Sequence, residues 1–407
     1  MLLRMFPASS FMHLNDGAPT MRKKILLLML CLFCAAATLP VHAMDEEHMA
    51  TADAAIRKGI EYLRTTQNED GSWTPEPGPG VTAMAVAVML DQPDIDANDP
   101  TVKKGLDYIL KFVKKDGGIY DEILPNYNTS LCLMALARVP NRPDVAEAVK
   151  NAQAFLKGLQ WNGQKGPDDK IVDENHPFYG GAGYGNHGRP DMSNTQIMLQ
   201  ALYESGVDCN DPVFQRAMVF ITRCQGVKEN KMFGDKIIND GGFIYSTSIS
   251  SKLVGVPESK ANPDQMKEAE ENGKPVSNLR TYGSMTYAGF KSYLYANLDR
   301  NDPRVTAARE WIGKHYTLDC NPGLPEAQKL QGLFYYYMTF GRALNAWGAT
   351  TIDTPDGERD WANDLVDALA KAQQKDGSWV NAASRWMESD PNLVTAYSII
   401  ALQNARD

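Results

Sequence analysis

The sequence predicts an all-α fold, an (α/α)6 ring in which six helical hairpins supply an inner and an outer ring of helices. Three observations carry this prediction. A short motif recurs six times between residues 50 and 405, charged helices alternate with apolar ones, and the terminal copies are as aromatic as the others. An open superhelix is the alternative, but open solenoids need polar terminal repeats, so closure into a ring is favoured.

The repeated motif is a helix that ends in a glycine-bearing turn. Glycine adopts the left-handed backbone that closes a helix, which explains its place in the turn. The clearest copies are the first and the last, and their repeated positions are Gln67, Gly71, Trp73, Gln373, Gly377 and Trp379.

A second, more apolar helix follows each turn. These follow-on helices are predicted at residues 81–90, 128–138, 193–204, 284–297, 333–347 and 393–404. They are apolar or aromatic around most of their circumference, as helices buried on all sides should be. The helix before each turn carries more charge, for example at Arg57, Lys58 and Glu61, and is therefore predicted to face water.

The composition is that of a folded soluble protein and excludes one class of partner. The chain has 407 residues, of which 43% are hydrophobic and 22% charged. Asp and Glu number 50 against 41 Lys and Arg, the formal net charge is −9, and the body of the chain has no basic cluster. Nucleic acid is excluded as a partner because its binding requires a positively charged surface.

Residues 21–43 have the pattern of a cleavable secretory signal peptide. A cationic start at 22–24 precedes an apolar run at 25–39 and the cleavage pattern Val41-His42-Ala43. The apolar run is shorter than the roughly 20 residues that span a bilayer as a helix, so no transmembrane span is predicted. We expect a secreted or periplasmic protein.

The domain organisation predicted is an N-terminal extension and signal at 1–43, then a single ring at 44–407 with inserts at 161–190 and 226–280. The first insert contains acidic residues together with His176 and His187, which suit a calcium site or acid–base chemistry, with a solvated surface as the alternative. The second insert has a charged stretch at 258–277, which we predict to cover the mouth of a cavity.

The repeat resembles the glutamine–tryptophan repeat of squalene and oxidosqualene cyclases and of protein prenyltransferase β subunits. The first copy matches it at Gly59, Tyr62, Leu63, Gln67, Gly71 and Trp73. The resemblance implies the αα-toroid fold of that superfamily. It also implies that the Gln and Trp residues tie adjacent hairpins together, since an amide satisfies free backbone groups at a helix end while an indole packs over it.

The resemblance also locates a candidate acid. Squalene-type cyclases have an Asp-Xaa-Asp-Asp-Thr run whose middle Asp protonates an alkene, and the similar run here extends from Asp191 to Thr195. Asp191 and Thr195 match, but Ser193 and Asn194 replace the other two carboxylates. A serine hydroxyl cannot protonate an alkene, so Asp191 is the best catalytic candidate that remains.

The zinc site of prenyltransferases is not matched. Tyr282 and Ser284 stand where the resemblance would place the Asp and Cys ligands, and Met338 stands where it would place the His. Zinc needs such N, O or S ligands. We therefore predict no metal and no cofactor.

A central cavity is predicted where the inner helices begin. If all six run parallel, their N-termini converge, and the positive ends of their dipoles would suit an anion such as a diphosphate, carboxylate or sulfate. The wall would be aromatic, although an aromatic stripe at helical spacing is also typical of plain core. The residues predicted to line the cavity are Asn128, Ser193, Asn194, Thr195, Tyr282, Ser284, Tyr287, Tyr335, Tyr336, Tyr337 and Met338.

Three functions follow as hypotheses. The first is an exported enzyme that acts on isoprenoid or triterpene-like substrates, and the second is a non-catalytic toroid that binds a hydrophobic ligand or another protein. The third, carbohydrate processing, would need two carboxylates facing one cleft. A hydrophobic small molecule is the partner expected, and peripheral contact with a membrane stays open.

Overall fold

The computed structural model describes residues 44–407, so the signal peptide predicted at residues 21–43 lies outside the described part of the chain. Thirteen α-helices and one two-stranded sheet form between residues 44 and 407. The outer helices are α1 (Glu46–Thr66), α3 (Pro100–Leu110), α5 (Ala146–Leu159), α7 (Pro212–Arg223), α10 (Pro303–Lys314) and α12 (Trp361–Ala372). The inner helices are α2 (Gly80–Leu90), α4 (Pro125–Ala137), α6 (Met192–Glu204), α9 (Gly283–Tyr295), α11 (Leu333–Trp347) and α13 (Pro391–Arg406). The remaining helix, α8 (Pro263–Asn272), belongs to the second insert.

The outer helices begin at sequence signals and are amphipathic. In α3, the Asp99 carboxylate accepts a hydrogen bond from the Thr101 backbone N–H, and Pro100 occupies the first turn, where no backbone donor is needed. The outer helices α7 and α10 start with the same Asp-Pro pair. Leu106 of α3 is buried while Lys103 is exposed, as expected for a helix with one face in water.

The inner helices are buried on nearly all sides and form a closed ring. Each inner helix packs against the next, and α13 packs against both α2 and α1. The last hairpin therefore joins the first. This arrangement confirms the prediction of an (α/α)6 toroid with inner and outer helices.

The seams between neighbouring hairpins are tied by glutamine side chains. Gln67 Nε2 donates to Gly71 O at 3.1 Å, in its own turn, and to Thr101 O at 2.9 Å, in the next outer helix. Gln160 and Gln225 repeat this pattern at later seams. Gln373 closes the ring, because its Nε2 donates to Ala55 O of α1 at 2.9 Å.

The glycine and tryptophan of the repeat pack inside these seams. Gly71 has φ +95°, and a Cβ at this position would lie 2.3 Å from Lys104 O of the next outer helix, so only glycine fits. The Trp73 indole is fully buried and donates to Leu63 O at 2.7 Å. Trp379 makes the equivalent bond to Leu369 O at 2.8 Å.

The described chain also contains a small β-sheet and four cysteines. The strands β1 (Thr351–Thr354) and β2 (Gly357–Asp360) form an antiparallel hairpin that packs against α10, an element that the sequence did not predict. The four cysteines of the described part, Cys132, Cys209, Cys224 and Cys320, are unpaired thiols. Between residues 44 and 407, no helix has both the length and the apolar character needed to cross a membrane.

Candidate functional site

A cavity of about 220 Å³ lies at the end of the toroid where the inner helices begin. The first turns of all six inner helices border it, which means that these helices run in the same direction. Their contributions to its wall are Gly80, Val81, Met84, Tyr127, Asn128, Ser193, Ser284, Met285, Tyr335, Leu393 and Tyr397. Connecting segments complete the wall with Tyr184, Tyr245, Tyr282, Trp386, Met387 and Glu388.

The wall of this cavity is aromatic and almost free of charge. Six tyrosines and one tryptophan contribute to it, together with three methionine thioethers. Among the residues that the structure describes, those bordering the cavity include no Lys, Arg or His, and Glu388 is their one carboxylate. A wall of this composition suits an apolar ligand with a few polar contacts.

Carboxylates of the chain itself cap three of the six inner helices at the cavity end. Asp191 Oδ1 accepts from the Asn194 backbone N–H of α6 at 2.8 Å. Asp390 caps α13 in the same way, through the Asn392 backbone N–H at 2.8 Å. Glu388 reaches across from another hairpin and accepts from the Tyr335 backbone N–H of α11 at 2.8 Å.

Neutral oxygens of the chain cap the other three inner helices. Asn128 Oδ1 accepts from Gly80 N of α2 at 3.0 Å, and Asn321 Oδ1 accepts from Ser284 N of α9 at 3.0 Å. The Tyr184 carbonyl accepts from Asn126 N of α4 at 2.9 Å. These caps disfavour the predicted anion, because internal acceptors, three of them carboxylates, already lie at the positive helix ends.

Glu388 is a residue of the cavity wall that the sequence did not reveal. Its side chain is fully buried, and besides the bond from Tyr335 it accepts from Asn381 Nδ2 at 2.6 Å and from Phe334 N at 3.3 Å. Burial raises the pKa of Glu388 to about 7, although these hydrogen bonds favour the carboxylate. No periodicity marks this position, because Glu388 follows Trp386 and Met387, whose φ values are 57° and 65°.

Asp191, the predicted catalytic acid, lies behind the cavity wall. It is fully buried, and both of its carboxylate oxygens accept from Asn194 Nδ2, at 3.1 and 2.9 Å. Burial raises its pKa, while the Arg189 guanidinium and the Asn194 hydrogen bonds act in the opposite direction. Its contacts are those of a helix cap, and its role as an acid stays a prediction.

Ser193 is the member of the Asp191–Thr195 run that faces the cavity. Its Oγ lies 3.0 Å from the Tyr335 hydroxyl, which also accepts a hydrogen bond from Gln196 Nε2 at 3.0 Å. A second hydroxyl pair on the wall joins Tyr127 and Tyr397 at 3.0 Å. The polar groups that the wall presents are therefore mostly neutral hydroxyls.

Several residues predicted to line the cavity point elsewhere. Asn194 Nδ2 donates to the Asp191 carboxylate, and the Thr195 hydroxyl bonds to the backbone of Ala182. The other residues that do not border the cavity are Tyr287, Tyr336, Tyr337 and Met338. Successive residues of a helix point about 100° apart. In α11, Tyr335 therefore borders the cavity, whereas the Tyr336 hydroxyl donates to Thr317 O on the outer side. Asn128, Tyr282 and Ser284, by contrast, border the cavity.

The histidines of the first insert do not form one site. His176 is buried, and its Nε2 lies 3.1 Å from Asp168 Oδ1 while its Nδ1 accepts from Phe178 N. The His187 ring instead packs edge-on against Trp161. In the described part of the chain, no group of three or more His, Cys, Asp or Glu side chains is arranged to hold a metal ion.

The charged stretch of the second insert does not reach the cavity either. Residues 258–277, which contain α8, are absent from the cavity wall, so the predicted cover is corrected. Tyr245 is the residue of this insert that borders the cavity. Its ring is packed between Arg189 and Lys260, whose cationic groups lie 5.3 and 4.5 Å from its centroid.

Below the cavity, a polar stripe continues along α6 towards the other end of the toroid. Fully buried Lys291 donates from Nζ to Gln200 Oε1 at 2.6 Å, and Gln200 Nε2 donates to Glu204 Oε1 at 2.5 Å. Arg138 Nη1 reaches the other oxygen of Glu204 at 3.3 Å. Burial, with a contribution from Arg342, lowers the pKa of Lys291 well below its usual value. In the sequence, this stripe is marked by polar residues at three- and four-residue spacing in an otherwise apolar helix.

A larger cleft, of about 740 Å³, opens on the outside of the ring between α10 and α12. Its lining is polar, and its charges are partly paired, as in the 2.6 Å contact between Arg359 and Asp364. This cleft lies at a seam without a glutamine tie. We take the apolar cavity as the candidate site because its wall joins all six hairpins.

Comparison with known proteins establishes the fold and no family. No protein-family model matches the sequence, and no curated protein matches it. Among solved structures, a variant of the type II terpene cyclase MstE from Scytonema, in complex with its product merosterolic acid A, is similar with a TM-score of 0.51 at 12% identity. The match covers 89% of this chain and 99% of that chain.

Two carbohydrate-active enzymes are equally similar. The GH76A α-1,6-mannanase of a Salegentibacter species has a TM-score of 0.52 at 11% identity and covers 88% of this chain and 98% of its own. A novel α-amylase from Clostridium perfringens has a TM-score of 0.50 at 11% identity and covers 86% and 97%. These similarities support the αα-toroid, terpenoid cyclase-like fold and leave the activity open.

Proposed function

We propose that this toroid binds a small, mainly apolar molecule of isoprenoid-like character in the cavity at the start of its inner helices. The observation that carries the proposal is the composition of the wall, with seven aromatic rings, three methionines and no cationic side chain among the described residues. Aromatic rings and thioethers supply apolar contact that adapts to an irregular hydrocarbon.

Binding is favoured over acid-initiated chemistry. The usual donor position holds Ser193, Asp191 lies behind the wall, and Glu388 has a pKa of about 7, which is a weak acid for protonating an alkene. Carbohydrate hydrolysis is disfavoured at this cavity, because it needs two carboxylates and the described residues of the wall provide one. A non-catalytic, ligand-binding toroid therefore agrees best with the site.

The ligand is expected to extend beyond the cavity. A volume of about 220 Å³ is below the roughly 300–1,000 Å³ of pockets that enclose drug-sized ligands. Exposed apolar residues border the cavity, namely Tyr184, Trp386 and Met387, which we call the rim residues. Part of a longer chain would pack on them.

The same rim residues support peripheral membrane contact as part of the proposal. Exposed apolar side chains around an apolar cavity would let the protein take its ligand directly from a lipid surface. Export through the predicted signal peptide would bring the protein to such a surface outside the cytoplasm. Flotation with phosphatidylcholine vesicles checks the contact, and replacing Trp386 and Met387 by serine should abolish it.

Titration with a neutral, environment-sensitive dye such as Nile red tests the binding. We expect one dye molecule per chain and displacement by an isoprenoid hydrocarbon. Met84→Trp should fill the cavity and remove binding, whereas Tyr203→Trp, which adds the same side chain at an exposed position of the other end, should leave it intact. Equal binding by the two variants, with unchanged melting temperatures, would overturn the proposal.

A further inference from the structure

We infer that the ligand carries an uncharged oxygen function, a hydroxyl or a carbonyl, and that Ser193 binds this oxygen. The inference deepens the proposed function and rests on it. It follows from what the cavity offers to each kind of polar group: an anion, a cation and a neutral oxygen.

An anionic group finds no partner in this cavity. In every inner helix that begins here the chain caps at least one of the first backbone donors, and three of the capping groups are carboxylates, Asp191, Glu388 and Asp390. The bordering residues that the structure describes include no cationic side chain. A diphosphate or carboxylate would lose its hydration without gaining a charge partner, which is costly.

A cationic group finds no counter-ion either. Glu388 has zero exposed surface, and both of its oxygens already accept hydrogen bonds from Tyr335 N, Phe334 N and Asn381 Nδ2. Its carboxylate therefore faces α11 and not the cavity. An ammonium group would gain cation–π contacts with the aromatic rings but no free carboxylate to replace its hydration.

A neutral oxygen finds a prepared partner. Gln196 Nε2 donates to the Tyr335 hydroxyl at 3.0 Å, and that hydroxyl lies 3.0 Å from Ser193 Oγ. Because the Tyr335 oxygen accepts from Gln196, its own proton is available for Ser193. The Ser193 proton is then left for a third group. Ser193 is half-buried and borders the cavity, so this third group is a ligand oxygen.

The other hydroxyls of the wall are less available for this role. Tyr127 and Tyr397 pair with each other at 3.0 Å, and Ser284 Oγ accepts from Asn321 Nδ2 at 3.1 Å. One proton of the tyrosine pair and the Ser284 proton stay uncommitted, but Tyr397 and Ser284 are only 5% and 4% exposed, whereas Ser193 is half-buried and ends a three-residue chain. Ser193 is also neutral at every physiological pH, so it binds an oxygen without transferring a charge to it.

The test uses C20 isoprenoids that share one chain and differ in the end group: the hydrocarbon, the alcohol, the carboxylic acid, the diphosphate and the primary amine. We expect the alcohol to bind about fivefold more tightly than the hydrocarbon and at least tenfold more tightly than each charged analogue. A charged analogue that binds as tightly as the alcohol overturns this inference alone. Failure of all five compounds to bind overturns the proposed function and, with it, the inference.

Two variants examine the contact itself. Ser193→Ala and Tyr335→Phe should each lower the affinity for the alcohol about fivefold and leave the affinity for the hydrocarbon unchanged. Tyr203→Phe, the same kind of change at an exposed tyrosine of the other end, should alter neither affinity. If Ser193→Ala weakens the alcohol and the hydrocarbon equally, the residue acts on the shape of the cavity and the inference is wrong.

Discussion

At one end of the inner ring the helix starts surround a cavity, and at the other end the helix ends surround charged side chains. At both ends, side chains of the chain interact with the poles of the same helix dipoles. At the starts, Asp191, Glu388 and Asp390 accept from backbone N–H groups, whereas near the ends Arg138 and buried Lys291 lie beside the negative poles. The two ends differ in the length of these side chains, because the shorter acids at the helix starts cap a helix without filling the space beside it.

This contrast explains why a ligand site forms at one end of the toroid. The long side chains of Lys291 and Arg138 extend to Gln200 and Glu204 of the neighbouring helix α6 and fill the space near the helix ends. Asp191 and Asp390 do not border the cavity, and the Glu388 carboxylate is turned to α11, so these acids leave the space to Ser193 and the aromatic rings. A site for an apolar molecule therefore depends on how the chain satisfies its own helix ends.

Breaking the charged end should have the largest effect on stability. Although burial opposes it, Arg342 and Arg138 hold the pKa of Glu204 below its usual value. Glu204→Gln removes the carboxylate near buried Arg342 and leaves Arg138 with Asp91 alone, so the free energy of unfolding should fall by about 3 kcal/mol, measured by urea denaturation. Dye binding at the cavity should not change.

Glu326→Gln is the control for this change, since Glu326 pairs with Lys329 on the surface, where it is 86% exposed. We expect a loss of at most about 0.5 kcal/mol. Similar losses for the two variants would show that the interior charges at the closed end contribute no more than a surface pair.

The cavity end should respond to pH through Glu388. Its pKa rises from 4.5 to about 7 on folding, so the folded state binds the proton more tightly. The stability from this group is complete below about pH 4.5 and is lost as the pH rises through 7, by roughly 3 kcal/mol. Subtracting the pH profile of Glu388→Gln from that of the unchanged protein isolates this contribution, and a flat difference would contradict the shift.

The seam that closes the ring should be as strong as an internal one. Gln373→Ala removes the side-chain donor to Ala55 O and Gly377 O, and Gln67→Ala does the same at Thr101 O and Gly71 O. Each should cost about 2 kcal/mol of unfolding free energy. A much smaller loss at Gln373 would mean that the ring is open in solution, and exposed Gln374→Ala serves as the control.

The rim should show the smallest change in stability and a clear change in binding. Trp386 has φ 57° and borders the cavity, so Trp386→Gly removes the ring and relieves the backbone. We expect a free energy of unfolding within about 1 kcal/mol of the original and about tenfold weaker dye binding. Trp386→Ala should bind as weakly but be less stable, which separates the strain from the contact.

Local sequence patterns predict the ring, whereas the residues of the site depend on how the helices pack in the fold. Gln67 and Gly71 lie in one turn at a fixed spacing, and such a turn is legible in the sequence because glycine and the amide each act locally. The sequence does not predict in this way how each inner helix is rotated about its own axis. Tyr335 and Tyr336 are equally aromatic neighbours, and only packing against the adjacent helices decides which of them faces the cavity.

Glu388 could not be predicted from the sequence for a related reason. Its partners, Phe334, Tyr335 and Asn381, come from two hairpins, and nothing in the residues around it marks a buried carboxylate. The polar stripe on α6 could have been found, since Gln196, Gln200 and Glu204 follow Ser193 at helical spacing. Polar residues on an otherwise apolar inner helix are a usable signal for the axis of a toroid.

The bond from Gln373 to Ala55 joins residues 318 positions apart, and this has a consequence for folding. A linear solenoid can nucleate in one repeat, propagate, and later fray from its ends. A closed ring has no end repeat from which fraying can start, so its hairpins should unfold together. Its last seam forms only after nearly the whole described chain is in place, and the high contact order of that step should make closure the slow phase of folding.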